Sequence, residues 1–151
     1  MPARFLSLVL FLLLVVGGGG LIGAYNVPGD WYRALNKPAF NPPDAVFAPV
    51  WTLLYAIIAI AGWRIRHATD AGRAMAVWWL QLGLNLLWSP VFFTLRSPAA
   101  ALVVILALLA AIGAFVAFAW HKDRVAAGLF VPYALWVAFA SVLNASIVML
   151  N

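Results

Sequence analysis

Cysteine is absent from the 151-residue sequence, and acidic and histidine side chains are scarce. The missing thiols exclude disulfides, thiolate metal sites and a cysteine nucleophile. The four acids and two histidines fall outside or at the ends of the long apolar runs: Asp30, Asp44, Asp70, Asp123, His67 and His121. Neither histidine has a second metal ligand four residues away, and no acid lies at membrane depth, where a proton-coupled exporter would need one. The sequence therefore predicts no catalytic residue, no metal site and no required cofactor.

Charged residues make up only 9% of the chain, and its net charge of +5 comes from scattered Lys and Arg side chains. A nucleic-acid-binding protein would show a basic patch interleaved with aromatic side chains on a soluble face, and the sequence has no such patch. The cations instead flank the apolar runs, where they reach the headgroup region and set topology. The composition thus favours membrane lipid as a partner over nucleic acid.

Hydrophobic residues account for 67% of the sequence and form five runs of the length needed to cross a bilayer. The runs occupy residues 5–24, 44–64, 74–95, 99–120 and 125–150. We therefore predict an all-α integral membrane protein, a five-transmembrane-helix bundle that forms one domain over residues 1–151. A cleaved signal peptide at the first run is the alternative. The apolar character continues past Val16 to Ile22, which favours a span.

Small side chains are concentrated on two of the predicted spans. Gly17–Gly20 and Gly23 lie on the first span, and Ala76 and Gly83 lie seven residues apart on the third. Small residues let membrane helices approach each other closely. We interpret the first set as a packing face, with space for a ligand as the alternative. The second set predicts a homodimer through the third span, with the first-span glycines as the alternative interface.

The distribution of cations over the predicted links indicates how the chain is oriented. Six cations lie on the side of the N-terminus: Arg4, Arg64, Arg66, Arg73, Lys122 and Arg124. Three lie on the opposite side: Arg33, Lys37 and Arg96. Links rich in Lys and Arg stay on the cytoplasmic side, so the N-terminus is predicted to be inside.

Polar side chains recur at helical spacing on the third and fifth spans. Gln81, Asn85 and Ser89 are four residues apart, and Trp78 and Trp88 lie on nearly the same face. A stripe at offsets of three and four follows the fifth span: Tyr133, Trp136, Ala140 and Asn144. Polar groups at membrane depth need partners, so both faces are predicted to point inward. The fourth span has no polar side chain, and we interpret it as structural and lipid-facing.

The segment between the first two spans, residues 25–43, is the longest stretch that is neither uniformly apolar nor a tight connector. Its part from Asp30 to Pro43 contains three aromatic residues, two Asn, three Pro and two cations. Loops on one face of a helical scaffold tend to carry recognition residues. We interpret the segment as a lid loop, with Trp31, Arg33 and Lys37 at the mouth of a pocket between helices.

The lining of that pocket would come from aromatic and amide side chains on three spans. The constellation consists of Trp51, Tyr55, Asn85, Trp88 and Trp136. Pockets for large apolar ligands combine aromatic walls with a few placed hydrogen-bonding groups. The alternative is that the tryptophans only form interfacial belts, which suits Trp63 and Trp120 at span ends. Asn85, in mid-span, does not fit that alternative.

A series of motifs follows one another along nearly the whole chain. They are Trp31-Tyr32, Leu35-Asn36-Lys37-Pro38, Asn41-Pro42-Pro43, Val50-Trp51-Thr52-Leu53-Leu54-Tyr55, Asn85-Leu86-Leu87-Trp88-Ser89-Pro90, and Val131-Pro132-Tyr133 with Trp136 and Asn144. In this order they resemble the TspO/MBR family, also called translocator proteins, peripheral-type benzodiazepine receptors or tryptophan-rich sensory proteins. The resemblance implies a five-helix bundle, often dimeric, with a ligand cavity closed by the first loop.

The resemblance also implies the ligands, which are porphyrins or haem-type tetrapyrroles, sterols and synthetic isoquinoline or benzodiazepine compounds. Carried over by motif position, the ligand-contacting residues are Tyr32, Pro42, Trp51, Tyr55, Asn85, Trp88, Trp136 and Ala140. Animal members have a sterol motif with an aromatic centre and a following basic residue, but residues 140–151 here contain no Tyr, Arg or Lys. This departure favours a bacterial member that handles tetrapyrroles, in the cell membrane or alternatively the outer membrane.

Three functions compete at this point. The resemblance favours a receptor-like or translocator-like protein with a sensory, regulatory or transport role, and not an enzyme. A porphyrin-degrading enzyme that uses the cavity tryptophans is the second, weakened because no acid–base group lies at membrane depth. A structural membrane subunit, whose tryptophans only anchor it, is the third.

Overall fold

The structure of the protein, a computed structural model, describes residues 2–151. Over that range it is helical and contains no strand. The helices, in chain order, are α1 (Pro2–Leu12), α2 (Gly18–Tyr25), α3 (Asp30–Ala34), α4 (Asp44–Arg66), α5 (Gly72–Ser89), α6 (Pro98–Ala119) and α7 (Arg124–Leu150). Two π-helical segments continue these helices: Leu13–Gly17 joins α1 to α2, and Pro90–Thr94 extends α5.

Five continuous helical stretches are long and apolar enough to cross a membrane. These first to fifth spans are Ala3–Tyr25, Asp44–Arg66, Gly72–Thr94, Pro98–Ala119 and Arg124–Leu150. The predicted fold class, an all-α integral membrane protein with five transmembrane helices, is confirmed. The predicted bounds of the spans differ from the observed ones by two residues or fewer.

The five spans form a closed ring of neighbours. The first packs on the second, the second on the fifth, the fifth on the fourth, the fourth on the third, and the third returns to the first. At one end, here called the basic end, the Trp63 indole N–H donates to the Arg4 carbonyl and Arg64 pairs with Asp123. The lid loop lies at the opposite end, the loop end. Which end faces the cytoplasm stays a prediction.

Short links hold consecutive spans side by side. The Ser97 hydroxyl accepts a hydrogen bond from the first turn of the fourth span, and Pro98 begins that span. The Asp123 carboxylate caps the fifth span in the same way, at 2.9 Å. Asp70 and Arg96 adopt the left-handed backbone conformation, each with φ of 52°, where the chain turns sharply. These links leave the lid loop as the longest connection between spans.

The fourth span, predicted to be structural and lipid-facing, buries one face against its neighbours and exposes only the other. A stripe at alternating offsets of four and three residues is buried against the third and fifth spans: Ala101, Ile105, Leu108, Ile112, Phe115 and Ala119. Val103 and Leu106 on the other face are exposed. Because both faces are apolar, hydropathy carries no sign of which one meets lipid and which one meets protein.

Two glycines allow neighbouring spans to approach closely. A Cβ at Gly19 would overlap the Tyr55 ring, and one at Gly62 would overlap the Trp78 indole. Trp78 also donates its indole N–H to the Ile58 carbonyl at 3.0 Å, which fixes the third span against the second. Open space surrounds the Cβ positions of the other first-span glycines: Gly17, Gly18, Gly20 and Gly23. The packing interpretation of this glycine set is therefore confirmed at Gly19.

The polar faces of the third and fifth spans point inward, as predicted. Gln81, Asn85 and Asn144 are buried, as are the large aromatic side chains Trp78 and Tyr133. Their burial in a membrane-spanning bundle requires hydrogen-bond partners, because hydrocarbon offers none. The hydrogen-bond partners of these side chains, and the buried polar atoms that have no partner, define the candidate site.

The face of the third span that carries Ala76 and Gly83 lies on the outer surface of the bundle. Leu80 and Leu87 flank these small residues and are exposed at 56% and 48%. A Cβ at Gly83 would meet no atom within 4 Å. The face is therefore accessible to a second copy of the chain, and the homodimer stays a prediction.

Candidate functional site

Aromatic contacts dock the lid loop on the end of the third span. Helix α3 buries Tyr32 against Phe92 and Phe93, with ring centroids 6.1 and 5.4 Å apart. Trp31 meets Phe92 edge-on at 5.9 Å. Burial and the charge of Asp44 raise the pKa of Tyr32 above its ordinary value, against a smaller opposing effect of its hydrogen bond with Asn41. The Tyr32 hydroxyl therefore remains protonated and able to donate at neutral pH.

Hydrogen bonds fasten the lid loop to the end of the fifth span. The Asn151 side chain accepts from the Asn36 N–H and donates to the Asn36 carbonyl, both at 3.0 Å. The Asn36 amide donates in turn to the Leu150 carbonyl at 3.3 Å. At the start of the loop, Asn26 is hydrogen-bonded to Thr94 of the third span. The loop is thus tied to two spans that enclose the interior of the bundle.

The two cations predicted at the mouth of the pocket have different surroundings. Arg33 forms a fully solvated ion pair with Asp30 at 3.1 Å. Lys37 holds its ammonium group 4.4 Å from the centre of the Tyr32 ring, a cation–π contact. Its Nζ also lies 3.4 Å from the carbonyl oxygens of Arg33 and Leu35. Lys37 therefore stays close to the buried part of the lid loop, and Arg33 points to solvent.

Trp136 has a buried hydrogen-bond donor without a partner. Its ring packs edge-on against Phe47 of the second span at 5.9 Å and lies tilted against Phe139 at 5.7 Å. Its Nε1 is inaccessible to water and makes no hydrogen bond with any of residues 2–151. A buried indole N–H ordinarily finds an acceptor. The indole therefore offers a donor in an aromatic environment.

A buried hydrogen-bond chain joins the third and fifth spans. The Asn85 amide donates to the Tyr133 hydroxyl at 2.6 Å, and that hydroxyl donates to the Gln81 carbonyl oxygen at 2.9 Å. This chain fixes which end of each amide is engaged. The Asn85 Oδ1 acceptor and the Gln81 Nε2 donor remain buried without partners. Together with Trp136 Nε1, they leave two donors and one acceptor unpaired in the interior.

Trp51 and Tyr55 supply aromatic surface from the second span. Their rings lie 5.5 Å apart, one helical turn from each other. Tyr55 is held against Gly19 of the first span, where any side chain would displace it. Phe47 lies one turn before Trp51 on the same helix and extends this surface to Trp136. Aromatic side chains therefore follow one another along the second span, and Phe47 among them reaches Trp136 on the fifth.

Trp88 differs from Trp136 because its indole N–H is already engaged. It donates to Asn144 Oδ1 at 3.1 Å, and the Asn144 amide donates to the Pro98 carbonyl at 2.8 Å. The Trp88 ring stacks on Phe92 with centroids 5.1 Å apart. Trp88 can therefore offer its ring to a ligand, while its donor links the third, fourth and fifth spans.

Most of the predicted ligand-contacting residues pack against one extended buried core that runs through the bundle. Five pack on its edge: Trp51, Tyr55, Trp88, Trp136 and Ala140. We call these five, with the buried Asn85, the aromatic site. Tyr32 belongs to a neighbouring cluster that shares Trp88, and Pro42 is half-buried where the lid loop meets the second span. Two concave hollows, of about 500 and 400 Å³, lie at the basic end, away from this site.

Sequence reasoning did not assign several residues that shape the site. Phe47 and Phe139 enclose Trp136, and Phe92 stacks on Trp88. Each is one helical turn from a predicted site residue, so helical offset could have found them. The role of Asn144 as the acceptor for Trp88 depends on which spans are neighbours, and offset alone does not reveal it.

The chain is similar in sequence to a family of known membrane proteins. Residues 9–150 match the TspO/MBR family. The chain is 37% identical over 145 residues to the tryptophan-rich sensory protein of Cereibacter sphaeroides, covering 96% of this chain and 92% of that protein. It is 38% identical over 151 residues to the tryptophan-rich protein TspO of Archaeoglobus fulgidus, covering 98% and 97%. It is 36% identical over 135 residues to the translocator protein of Bos taurus, covering 83% and 79%.

These matches run through the spans that carry the lid loop and the aromatic site. The relatives are named as sensory or translocator proteins, and those names are not names of enzymes. The match and the five spans agree on a multi-pass integral membrane protein. By sequence, span number and the residues that its motifs share, the chain belongs to the TspO/MBR family.

Proposed function

We propose that the protein binds tetrapyrroles of the porphyrin or haem type, and related flat hydrophobic ligands, at the aromatic site beneath the lid loop. Binding there would serve a sensory, regulatory or transport role in the membrane. Porphyrin or haem is a ligand in this proposal, and the protein requires no cofactor. Sterols and isoquinoline compounds are secondary ligands of the same site.

The observation that carries the proposal is the set of buried, unpartnered polar atoms on the third and fifth spans. Trp136 Nε1, Asn85 Oδ1 and Gln81 Nε2 are buried without partners. Leaving such a group unsatisfied costs about 1–3 kcal/mol, so native structures rarely retain one without use. A ligand that brings its own donors and acceptors would recover that free energy. An interfacial belt of tryptophans would not leave these atoms in the interior.

The shape and charge of a porphyrin suit the surroundings of the site. Its flat face is apolar and stacks on aromatic rings, as Trp51 and Trp136 could provide. Its propionates are anionic and prefer the edge of the membrane to its centre. Lys37, held over Tyr32 at the loop end, is a cation within the lid loop that could meet such a carboxylate.

The names of the relatives support a sensory or transport role, but they do not indicate which ligand is bound. One relative is a tryptophan-rich sensory protein and another is a translocator protein. Sensing and translocation both require a ligand to enter and leave. A lid loop held mainly by hydrogen bonds and edge-on aromatic contacts suits such exchange, because each of those contacts is individually weak.

The test is a titration of the purified full-length protein with protoporphyrin, followed by Trp fluorescence. Saturable binding is expected. Trp136→Ala and Trp51→Ala should each weaken it about thirtyfold, the loss of about 2 kcal/mol that a buried aromatic anchor provides. Trp120→Ala is the matched control, because Trp120 lies at the basic end and is 45% exposed. It should leave the affinity unchanged.

Other outcomes distinguish the competing functions. Equal affinity of Trp136→Ala, Trp51→Ala and the parent protein would contradict the aromatic site. Absence of saturable binding to any porphyrin would favour a structural membrane subunit. Conversion of protoporphyrin to a product in the dark, detected by mass spectrometry and lost in the same tryptophan variants, would instead favour a porphyrin-degrading enzyme.

A further inference from the structure

Charge is distributed very unequally between the two ends of the bundle. The basic end carries six cations against two carboxylates, Asp70 and Asp123, so it holds four of the five net positive charges. The cations are Arg4, Arg64, Arg66, Arg73, Lys122 and Arg124. In a membrane-spanning bundle this end lies at the level of the lipid headgroups.

A concave hollow of about 400 Å³ lies within this charged end. Arg4 from the first span, His67 after the second, and Lys122 before the fifth contribute to its wall. Arg64 and Asp123 line it as well. Three cations against one carboxylate leave the hollow with two net positive charges. Three separate parts of the chain therefore converge on an anion-attracting concavity.

The wall of the hollow is held in place by the protein's own contacts. The Trp63 indole N–H donates to the Arg4 carbonyl at 3.2 Å and to the Ser7 hydroxyl at 3.1 Å. Ser7 is also 3.1 Å from Nε2 of His67. These contacts fix the start of the first span against the end of the second. The part of the wall from the Arg4 backbone to His67 is thus held by the protein's own contacts.

The one carboxylate in the hollow is already neutralised. Asp123 pairs with Arg64 at 2.9 Å and accepts the N–H of Ala126 at 2.9 Å. Burial acts to raise the pKa of Asp123, but these hydrogen bonds and the Arg64 charge outweigh it and hold that pKa below its ordinary value. Among residues 2–151, no carboxylate lies within 4 Å of the Arg4 or Lys122 cations. Those two cations remain available to an external anion.

A second hollow adjoins the first and shares Lys122. It measures about 500 Å³ and is lined by Arg73, Asp70 and Phe118 as well. Phe118 is 43% exposed on the side of the fourth span, where lipid chains would lie. Lys122 therefore stands between two concavities, with cations on both sides and an apolar surface leading towards the membrane core.

We infer that the hollow around Arg4, His67 and Lys122 binds the phosphate of an anionic phospholipid headgroup, with the acyl chains lying along Phe118. Basic pockets between transmembrane helices have the charge and the position to hold such headgroups. A free phosphate would meet the same cations but gain nothing from the apolar surface beside them. Lipid bound here would brace the ends of the first, second and fourth spans. The inference does not depend on the ligand of the aromatic site.

The experiment measures lipid binding to the full-length protein by native mass spectrometry after delipidation. Phosphatidylglycerol, phosphatidylcholine and inorganic phosphate are added in separate arms. Phosphatidylglycerol should bind in preference to phosphatidylcholine, which carries the same phosphate without net charge. Arg4→Gln and Lys122→Gln should each weaken that binding about fivefold, the effect expected of one basic side chain near an anionic lipid.

The matched control is Arg66→Gln. Arg66 is an exposed cation at the same end of the bundle, but it lines neither hollow. Its loss should change the affinity by less than about twofold, the effect of a screened distant charge. An equal loss in Arg66→Gln and Lys122→Gln would show diffuse attraction and overturn the site. Equal binding of the two lipids, or displacement of phosphatidylglycerol by an equal concentration of inorganic phosphate, would overturn the assignment to an anionic lipid.

Discussion

Trp78 is fully buried and Trp136 is half-buried, and only Trp78 has a partner among residues 2–151 for its indole N–H. Trp78, near the basic end, donates to the Ile58 carbonyl and closes on Gly62. Trp136, nearer the middle of the bundle, is surrounded by Phe47 and Phe139 and has no acceptor. The same residue type therefore serves helix packing in one region and leaves binding capacity in the other.

In a protein rich in tryptophan, the hydrogen bonding of each indole N–H separates residues that pack helices from residues that can bind a ligand. A side chain whose polar atom is satisfied by its own bundle and whose ring lies outside the aromatic site, such as Trp78, contributes mainly to the arrangement of helices. A side chain whose polar atom is buried and unsatisfied lowers stability unless something else completes it. The contrast predicts stability effects in the packed region and ligand effects at the aromatic site.

The largest effect is expected in the packed region. Gly62→Ala would place a methyl group inside the volume of the Trp78 indole. Overpacking of this kind should lower the free energy of unfolding by about 1–3 kcal/mol. Gly113→Ala is the matched control, since a Cβ there meets no atom within 4 Å. Thermal unfolding in detergent measures both. Equal unfolding midpoints for the two variants would contradict the claim that Trp78 packs tightly on Gly62.

A smaller effect is expected on ligand selectivity. Asn85→Leu removes the buried Oδ1 acceptor, so a ligand that donates a hydrogen bond should bind about tenfold more weakly, the loss of about 1.4 kcal/mol. A plain aromatic hydrocarbon should lose much less, which makes it the internal control. Fluorescence titration gives both affinities. Equal losses for the two ligands would mean that Asn85 shapes the site without bonding to its occupant.

Loss of the contact between Asn151 and the lid loop should have a smaller effect, confined to opening of the loop. Asn151→Ala removes two hydrogen bonds to the Asn36 backbone, and local opening should become easier by about 1 kcal/mol. Hydrogen exchange of the Asn36 amide should accelerate about fivefold. Ser146→Ala, whose exposed hydroxyl bonds only within its own helix, is the control. Unchanged exchange in Asn151→Ala would show that the aromatic contacts alone hold the loop.

The smallest effect is expected from the cation of the lid loop. Lys37→Gln should weaken porphyrin binding by less than about 1 kcal/mol, because a charge at the membrane surface is well solvated. The loss should shrink further as salt is raised. Arg96→Gln, at the same end but outside the lid loop, should have no effect. A loss that is large and independent of salt would place Lys37 inside the site rather than at its mouth.

Hydropathy and local motifs predicted the five spans closely. Apolar length is a property of each segment by itself, so the predicted bounds differ from the observed ones by two residues or fewer. Helical offset also predicted that Gln81, Asn85 and Asn144 would point inward, since hydrocarbon gives polar groups no partners. Trp51 and Trp136, chosen as aromatic residues for a pocket lining, both pack against the buried core, and their role in binding stays a prediction.

Only the tertiary structure decided which groups are engaged and which remain open. Trp88 and Trp136 look equivalent in sequence, yet the approach of Asn144 satisfies one and leaves the other unpaired. The fourth span gives no sign of its buried face, because lipid and protein interior are equally apolar and hydropathy does not separate them. The contact between Asn36 and Asn151 joins positions 115 residues apart. Such pairings depend on the order of spans around the ring, which no local property of the chain encodes.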